Sequence, residues 1–260
     1  MGGRLQRDMP ARLTGALYIY PTHAMYVGPL IATARHKHHA GQITWAPDGL
    51  DVEDEDGAAR CVSTHVVPPH AAHRHGPAAR AAVLWIDRDD LRWDRASHTS
   101  FDPAEAPCLD PPLEPEAARR LAEALFHLVA PDHRREALVP LHAAVKRMCA
   151  LLDANTTSDE LSIEKLARQS GLSVRQLRHR FTQEIGINPS AYLRWRRLRH
   201  AIAAIEAGAT LTEGALAGGF ADGAHFTRVF QAQFGMAPSQ AFASVHFGGP
   251  QPASARDADG

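Results

Sequence analysis

Histidines are concentrated in the first third of the chain, and their spacing could hold a metal ion. His36 and His38 are separated by one residue, so on a β-strand both side chains point to the same face. Gln42 follows shortly afterwards, and His73 comes after a Pro-Pro turn. Imidazole nitrogens are common ligands of Zn²⁺ and related divalent ions. One interpretation of this pattern is therefore a divalent metal site of His36, His38 and His73, with Gln42 beside it.

Two other interpretations of these histidines require no metal. The side chains could line the polar mouth of a barrel, or lie on the surface, without binding a ligand. They could also serve as hydrogen-bonding groups in a pocket for a small organic effector, because such pockets place a few polar groups among apolar ones. We favour the effector pocket, and we expect no cofactor unless a divalent metal binds here.

Arginines are concentrated in the last part of the chain, where they could contact nucleic acid. Arg175 and Arg178 would lie near the start of a helix, where arginine can reach the edge of a guanine base. Contacts to phosphate alone are an equally good interpretation, because most protein–DNA hydrogen bonds go to the backbone. Four further arginines follow within one predicted helix: Arg194, Arg196, Arg197 and Arg199. They span most of the helical circumference, so not all of them can face DNA.

These arginines belong to a segment in which one residue pattern occurs twice. The first copy spans 161–189 and the second spans 211–238, with one residue inserted in the second copy. Each copy predicts a helix-turn-helix, because Gly171 and Gly219 suit the turn between two short helices. The residues between the copies predict a connecting helix. If the two units lie about 34 Å apart, both can face one side of a DNA duplex in successive major grooves.

The outer side of the second helix in each copy would then contact DNA. The candidates share that outward position: Val174, Arg175, Arg178, His179, Thr182, Gly223, Ala224, His225, Thr227 and Arg228. The residues of the second copy are small and weakly polar. We therefore expect them to give backbone contacts and shape readout rather than strong discrimination between bases.

The duplicated segment resembles the DNA-binding domain of AraC/XylS-type transcriptional regulators. The matching positions lie in both copies and between them: Leu172, Ser173, Leu177, Phe181, Gly186, Pro189, Tyr192, Leu193, Arg197, Leu198, Ala201, Ala215, Gly219, Phe220, Asp222, Phe226, Arg228, Phe230, Phe234, Gly235 and Pro238. The resemblance implies two helix-turn-helix units joined by a helix, which bind double-stranded DNA and activate or repress bacterial promoters. An activator of this type would act with RNA polymerase as its partner, and the sequence leaves the sign of regulation open.

Three residues depart from the family pattern. Gly214 stands where Ile or Val is usual, and a glycine inside a helix costs about 1 kcal/mol. His179 stands where an arginine is common, which affects contacts with DNA. Ala243 replaces an arginine that often follows the final aromatic residue.

The N-terminal part predicts a β-structure. From about residue 13 to 90 the chain contains short apolar or alternating runs bounded by Gly, Pro or Asp, which are typical of an antiparallel β-barrel or jelly roll. The order of His36, His38, Gln42, Gly49 and His73 resembles the two motifs of cupins, whose metal-binding members use two His, a Glu and a later His. Here Gln42 replaces the Glu, and sensory cupins of AraC-type regulators often keep such histidines without metal. The predicted fold class is α+β, a cupin-like barrel followed by helices.

The predicted domains are a sensor over 1–95, a connector with two helices over 96–157, a double helix-turn-helix domain over 158–246 and a disordered tail over 247–260. Apolar stripes on the two connector helices include Leu121, Leu125, Val145 and Met148. These stripes could form the contact of a homodimer or pack inside the chain, and the pattern does not distinguish the two.

Composition is that of a globular protein of 260 residues, with a formal net charge of −1 and 45% hydrophobic residues. Basic residues are in excess in the C-terminal part and acidic residues elsewhere, which fits a binding domain joined to a sensor. Cys61, Cys108 and Cys149 are scattered, which indicates reduced thiols. With no predicted signal peptide or membrane span, we expect a cytoplasmic location and no membrane partner.

No nucleophile triad, P-loop or dinucleotide fingerprint is present in the sequence. The predicted function is therefore a sequence-specific DNA-binding regulator controlled by a small-molecule effector, with no catalytic residues. The alternative is a metal-dependent cupin enzyme or metal sensor fused to a DNA-binding module.

Overall fold

The computed structural model describes residues 15–20, 22–87, 109, 113–127, 141–154, 163–243 and 245–247. Several predicted features lie outside these residues: most of the connector before residue 113, Cys108, residues 155–157 at the end of the connector, and the tail from residue 248 onwards.

The N-terminal half forms one β-sheet. Its strands are β1 (Gly15–Ile19), β2 (His23–Leu30), β3 (Gly41–Glu53), β4 (Ala59–Val67), β5 (Arg74–His75) and β6 (Ala78–Ile86). The hydrogen-bonded order is β4-β3-β6-β2-β1, while β5 pairs with β3, and all of these pairs are antiparallel. A seventh strand, β7 (Val245–Phe247), pairs in parallel with the free edge of β1. Phe247, which the sequence assigned to the tail, is thus the last residue of a strand.

The predicted closed barrel is wrong, because the described strands form an open sheet with β4 and β7 at its edges. One face of the sheet is covered by a helix, α1 (Pro115–His127), rather than by an opposite wall of strands. Tyr18, Met25 and Ile43 of the sheet share an apolar core with Leu121 and Leu125 of α1. Packing a helix on the sheet removes this apolar area from water, so closure into a barrel is not needed.

The opposite face of the sheet is directed at the C-terminal helices. Successive side chains of a strand point to opposite faces. Leu17 precedes the core residue Tyr18, and Tyr26 follows the core residue Met25. Both side chains therefore point away from that core and line a cavity shared with the C-terminal helices. Trp85 packs in the same apolar cluster as the helices. The sheet therefore lies between α1 and the C-terminal part of the chain.

Seven helices make up the described C-terminal part: α2 (Ala143–Ala154), α3 (Ile163–Gln169), α4 (Val174–Ile185), α5 (Pro189–Glu206), α6 (Leu211–Ala217), α7 (Gly223–Phe234) and α8 (Pro238–Phe242). One core joins α2, α3, α4 and the start of α5, and a second joins the rest of α5 to α6, α7 and α8. Val145 and Met148 of α2 belong to the first core. The described apolar stripes of both connector helices are thus buried within the chain.

Helix α5 has 18 residues and connects the two cores. Asn188 caps it by accepting the backbone N–H of Ala191 on its side-chain oxygen at 2.9 Å, and Pro189 occupies the first turn. Within the part of the chain that the structure describes, neither α5 nor any other helix is long and apolar enough to cross a membrane.

Helices α5 and α6 cross at very short range. A Cβ atom on Gly214 would lie 2.5 Å from Cγ1 of Ile205, and one on Gly218 would lie 2.6 Å from the carbonyl oxygen of Arg197. The two glycines are one helical turn apart, so they present a face without side chains to α5. The sequence indicated only a stability cost at Gly214, whereas the structure gives it a packing role.

Candidate functional site

The first helix pair, α3 and α4, is held by a glycine turn and a helix cap. Gly171 has a φ of +65°, which glycine adopts without strain. Ser173 starts α4: its hydroxyl oxygen accepts the backbone N–H of Gln176 at 3.2 Å, and Gln176 Oε1 accepts the backbone N–H of Ser173 at 2.9 Å. Leu177 and Phe181 are completely buried on the inner face. These contacts fix the rotation of α4.

That rotation leaves a basic outer face on α4. Arg175, Arg178, His179 and Thr182 are all exposed, whereas Val174 is half-buried against the core. The hydroxyl of Thr182 donates to the carbonyl oxygen of Arg178 at 2.9 Å, so it is partly engaged within the helix. The two arginine side chains are free to reach a polyanion from the first two turns of the helix.

The second pair, α6 and α7, is built in the same way. Gly219 in the turn has a φ of +77°. Asp222 caps α7, with its Oδ1 accepting the backbone N–H of His225 at 2.6 Å. Phe226 and Phe230 are buried beneath it. The two pairs therefore share the same local features: a glycine turn, a polar helix cap and buried apolar residues.

The outer face of α7 offers fewer free polar groups than that of α4. Ala224 and Arg228 are exposed, while Gly223, His225 and Thr227 are half-buried. The hydroxyl of Thr227 donates to the carbonyl oxygen of Gly223 at 2.8 Å. Arg228 is thus the one cation among the five candidate residues on this helix.

The four arginines of α5 do not share one face. Arg194 is exposed, but Arg196 and Arg199 are directed towards the N-terminal sheet. Arg196 pairs with Asp153 of α2 at 2.7 Å and with Asp87 at 3.4 Å. The sequence interpretation that only some of these arginines can face DNA agrees with this arrangement.

Asp87 directly follows β6, and its carboxylate contacts side chains of α5. It is 3% exposed, and its Oδ1 accepts the indole N–H of Trp195 at 2.8 Å. Its other oxygen is bound by Arg199, which also donates to the carbonyl oxygen of Tyr20. The sequence alone does not identify Asp87 as a contact residue. The one available signal was an acid placed immediately after an apolar strand.

A cavity of about 260 Å³ lies between the sheet and helices α5, α7 and α8. Most of its wall is apolar, and its lining includes Leu17, Ile19, Tyr26, Trp85, Ile202, Phe230, Phe234 and Met236. Asp87, Arg199 and Gln42 also reach it. Burial raises the pKa of Tyr26 to about 12, and its hydroxyl donates to the carbonyl oxygen of Pro29 at 2.6 Å. The cavity can therefore hold a small, mainly apolar molecule that touches both parts of the chain.

The three predicted metal-binding histidines lie together beside this cavity. The ring centroids of His36 and His73 are 4.3 Å apart, and that of His38 is 4.9 Å from His73 and 5.8 Å from His36. All three are buried, and each offers a ring nitrogen within 4.8 Å of the others. The expectation that His36 and His38 share a regular strand is wrong. His36 forms an isolated backbone bridge with His73, and His38 lies between that bridge and β3.

Backbone carbonyl groups determine which ring nitrogens of these histidines carry hydrogen. Nδ1 of His36 lies 2.9 Å from the Ala34 carbonyl oxygen, Nδ1 of His38 lies 2.7 Å from that of Ala40, and Nδ1 of His73 lies 3.1 Å from that of Ala71. A carbonyl oxygen can only accept, so each Nδ1 is the donor. In a neutral ring, Nε2 then keeps its lone pair.

The rings are neutral near pH 7. Burial, reinforced by the neighbouring histidines, lowers the pKa of His36 and of His38 to about 4 and that of His73 to about 3. Gln42 is also buried, and its Oε1 lies 2.9 Å from Nε2 of His38. The cluster therefore presents lone pairs rather than positive charge to a ligand.

Parts of the chain are similar in sequence to known proteins. A helix-turn-helix domain family matches residues 166–244. The transcriptional activator RhaR of Klebsiella pneumoniae is 33% identical over 141 residues, which cover 49% of this chain and 50% of RhaR. The transcriptional activator RhaS of Escherichia coli is 34% identical over 84 residues, 31% of this chain and 30% of RhaS. The chain therefore contains a segment of a helix-turn-helix domain family and is similar, over part of its length, to these two activators.

The chain spans about half the length of RhaR, the first of the curated relatives it matches. Its fold is also similar to that of ToxT from Vibrio cholerae, with a TM-score of 0.55 at 10% identity, covering 87% of this chain and 99% of ToxT. A ToxT structure bound to an unsaturated fatty acid has a TM-score of 0.52 at 13% identity, with 86% and 96% coverage. The combination of an N-terminal sheet with a helical C-terminal part is thus a known architecture.

Proposed function

We propose that this protein is a sequence-specific DNA-binding transcriptional regulator of the AraC type. The observation that carries the proposal is the exposed pair Arg175 and Arg178 on a capped helix, within the segment that matches a helix-turn-helix family. The paired helices α3–α4 and α6–α7 act as two helix-turn-helix units, with α4 and α7 as recognition helices. RhaR and RhaS, which share this segment, are transcriptional activators.

The two recognition helices have different tasks in this proposal. Arg175 and Arg178 contact base edges or the phosphates beside them, because both lie in the first half of α4. The remaining contacts of the first unit come from Val174, His179 and Thr182. The second unit contributes Gly223, Ala224, His225, Thr227 and Arg228, mostly to the DNA backbone. RNA polymerase is the further partner expected of an activator, and the active form is a homodimer.

A small, mainly apolar effector binds in the cavity between the sheet and the C-terminal helices. Support comes from the apolar wall, from polar lining residues that include Asp87, Arg199 and Gln42, and from the contact of both parts of the chain with one space. The related fold of ToxT has been solved with a fatty acid bound. The open, cupin-like sheet domain thus acts as a sensor, and we assign the chain a regulatory rather than a catalytic role.

The DNA-binding proposal is tested by selecting duplexes from a randomised pool with the full chain and measuring their affinity by gel shift. Arg175→Ala should weaken binding to the selected duplex by about 1–3 kcal/mol and relax its sequence preference. Arg120→Ala is the matched control. Arg120 is an exposed arginine on α1, and α1 covers the face of the sheet that is turned away from the C-terminal helices. Unchanged affinity and selectivity in Arg175→Ala would reject the assignment.

A further inference from the structure

The side chain of Tyr26 forms part of the wall that the sheet contributes to the cavity. Tyr26 lies on β2, opposite Leu17 of β1 and Val83 of β6, and all three side chains line the cavity. The Tyr26 hydroxyl donates to the carbonyl oxygen of Pro29 at 2.6 Å. Because Pro29 follows three residues later, this hydrogen bond directs the ring along β2 towards the end of that strand.

Two glycines on neighbouring strands make room for this ring. Gly15 of β1 and Gly28 of β2 lie across from each other, since Ala16 pairs with Val27 in the antiparallel register. A Cβ atom on Gly15 would overlap the Tyr26 ring, and one on Gly28 would lie 2.9 Å from the Tyr26 hydroxyl oxygen. The ring therefore occupies a recess in the sheet that exists because two side chains are missing.

The backbone at the end of β2 is irregular beside this recess. Gly28 has a φ of +146°, which glycine adopts far more readily than other residues. The pairing of β2 with β6 shifts register between Gly28 and Leu30, and such a bulge bends a strand. Pro29, Leu30 and Ile31 consequently all line the cavity, although a regular strand would direct alternate side chains to opposite faces. The bend brings the Pro29 carbonyl group to the Tyr26 hydroxyl.

Charged groups lie at the other end of the cavity. Apart from histidines, Asp87 and Arg199 are the only charged side chains among the described residues that line it. Tyr26 pairs with Val83, and Asp87 comes four residues after Val83, next to the end of β6. Four residues of strand span about 13 Å. A ligand whose polar group lies beside Asp87 and Arg199 therefore directs its apolar part along the sheet towards Tyr26.

We propose that Tyr26 determines ligand specificity in this cavity by limiting the length of the hydrocarbon chain that fits. The assignment rests on the effector site proposed above, and it narrows the ligand to an amphiphile with one polar group and a hydrocarbon chain. The ring fills the recess, so methylene groups that reach it find no further apolar space. Ile31 lines the same end of the cavity and is 48% exposed, so a longer chain must leave the cavity into water there.

The limit on chain length is tested by calorimetric titration of the full chain with straight-chain fatty acids of increasing length. In the unmodified protein, affinity should rise about fourfold for each added methylene group up to a cutoff, and stay constant beyond it. Tyr26→Ala opens the recess, so the rise should continue past that cutoff. Tyr26→Phe keeps the ring and should keep the cutoff, although it loses the hydrogen bond to Pro29.

Two further variants separate chain-length selection from a general loss of stability. Tyr26→Leu fills part of the recess, so it should move the cutoff in the same direction as Tyr26→Ala but by less, even where the alanine variant folds poorly. Tyr20→Ala is the matched control, because Tyr20 is a half-buried tyrosine packed against the core on the opposite face of the sheet. Its removal should leave the cutoff unchanged.

The results distinguish this role of Tyr26 from the proposed function. Fatty acid binding with the same cutoff in the unmodified protein, Tyr26→Ala and Tyr26→Leu overturns the role of Tyr26 alone. A cutoff that moves as far in Tyr20→Ala as in Tyr26→Ala also overturns it. If no chain length binds to any of these proteins, the effector site is rejected together with this inference, whereas the duplex selection tests DNA binding independently.

Discussion

Trp195 of α5 donates its indole N–H to the carboxylate of Asp87, 2.8 Å away at the end of β6. The two residues are 108 positions apart in the chain and belong to different parts of the fold. Arg199 binds the second carboxylate oxygen, and the acid is 3% exposed. One buried carboxylate therefore attaches the sheet to the helix that connects the two helix pairs.

Replacing this acid should strongly destabilise the protein. Asp87→Ala leaves Arg199 without its anion in a buried position, and breaking a buried ion pair in this way costs about 3–5 kcal/mol. Urea unfolding measures the loss. Asp48→Ala is the control, because Asp48 pairs with Arg80 on the surface at 2.9 Å and should leave the urea midpoint nearly unchanged. Equal effects of the two substitutions would contradict the role of Asp87.

The close crossing of α5 and α6 makes a specific prediction at Gly214. Gly214→Val should lower the free energy of unfolding by about 1–3 kcal/mol, because the new side chain overlaps Ile205. Adding Ile205→Ala should recover part of that loss, which a double-mutant cycle detects as a coupling. Ala217→Val, on the exposed side of α6, is the control and should cost no more than about 0.7 kcal/mol. Strictly additive effects at Gly214 and Ile205 would argue against the contact.

A larger side chain inside the cavity should prevent effector binding without changing the exposed surface of α5. Ile202 lines the cavity, so Ile202→Trp occupies space that a ligand would need. With an unsaturated fatty acid as the probe, we expect binding to weaken at least about tenfold, since a clash in a packed site costs more than about 1.4 kcal/mol. Ala203→Trp adds the same side chain at the exposed neighbouring position and should bind the probe normally. Equal binding by both variants, measured by calorimetry, would place the ligand elsewhere.

Because several histidines are buried, we expect the metal-free protein to lose stability at pH values well above the pKa range of carboxylates. The pKa of His36, His38 and His65 is lowered from 6.5 to about 4, chiefly by burial. Between these values the unfolded chain binds protons that the folded chain does not. Stability should therefore be complete above pH 6.5 and should fall as the pH drops towards 4. Thermal unfolding in chelator, recorded from pH 7.5 to about 5, measures this dependence. A melting temperature that stays constant over that range would refute it.

The sequence predicted local structure well in the helix pairs, since the determinants there are local. Gly171, Ser173 and Leu177 lie within seven residues, and each does in the structure what its type and spacing indicate. The second copy provided an independent check on the same pattern. The sequence also indicated that His36, His38 and His73 form a group, because imidazole is a common metal ligand and the spacing of these histidines is distinctive. His38 lies in a loop rather than in the expected strand.

The features that sequence could not supply depend on contacts between distant segments. Nothing near Asp87 indicates that Trp195 and Arg199 will surround it. Gly235 matched the family pattern as a helix end, but its contact with His36 follows only from the packing of α7 on the loop before β3. The open sheet was missed for the same reason, since the helix that covers its face lies far along the chain.

Strand β7 gives the N-terminal sheet an unusual dependence on the other end of the chain. Its residues Val245 and Phe247 pair with Gly15 and Leu17, so the hydrogen-bonding groups on that side of β1 are supplied by a segment that follows the helices. A fragment containing the sheet alone would present these groups as a free edge, next to the apolar wall of the cavity. Free edges of this kind recruit strands from other molecules. The helical half therefore also covers one edge of the N-terminal sheet, and separating the two by truncation should favour non-specific association through that edge.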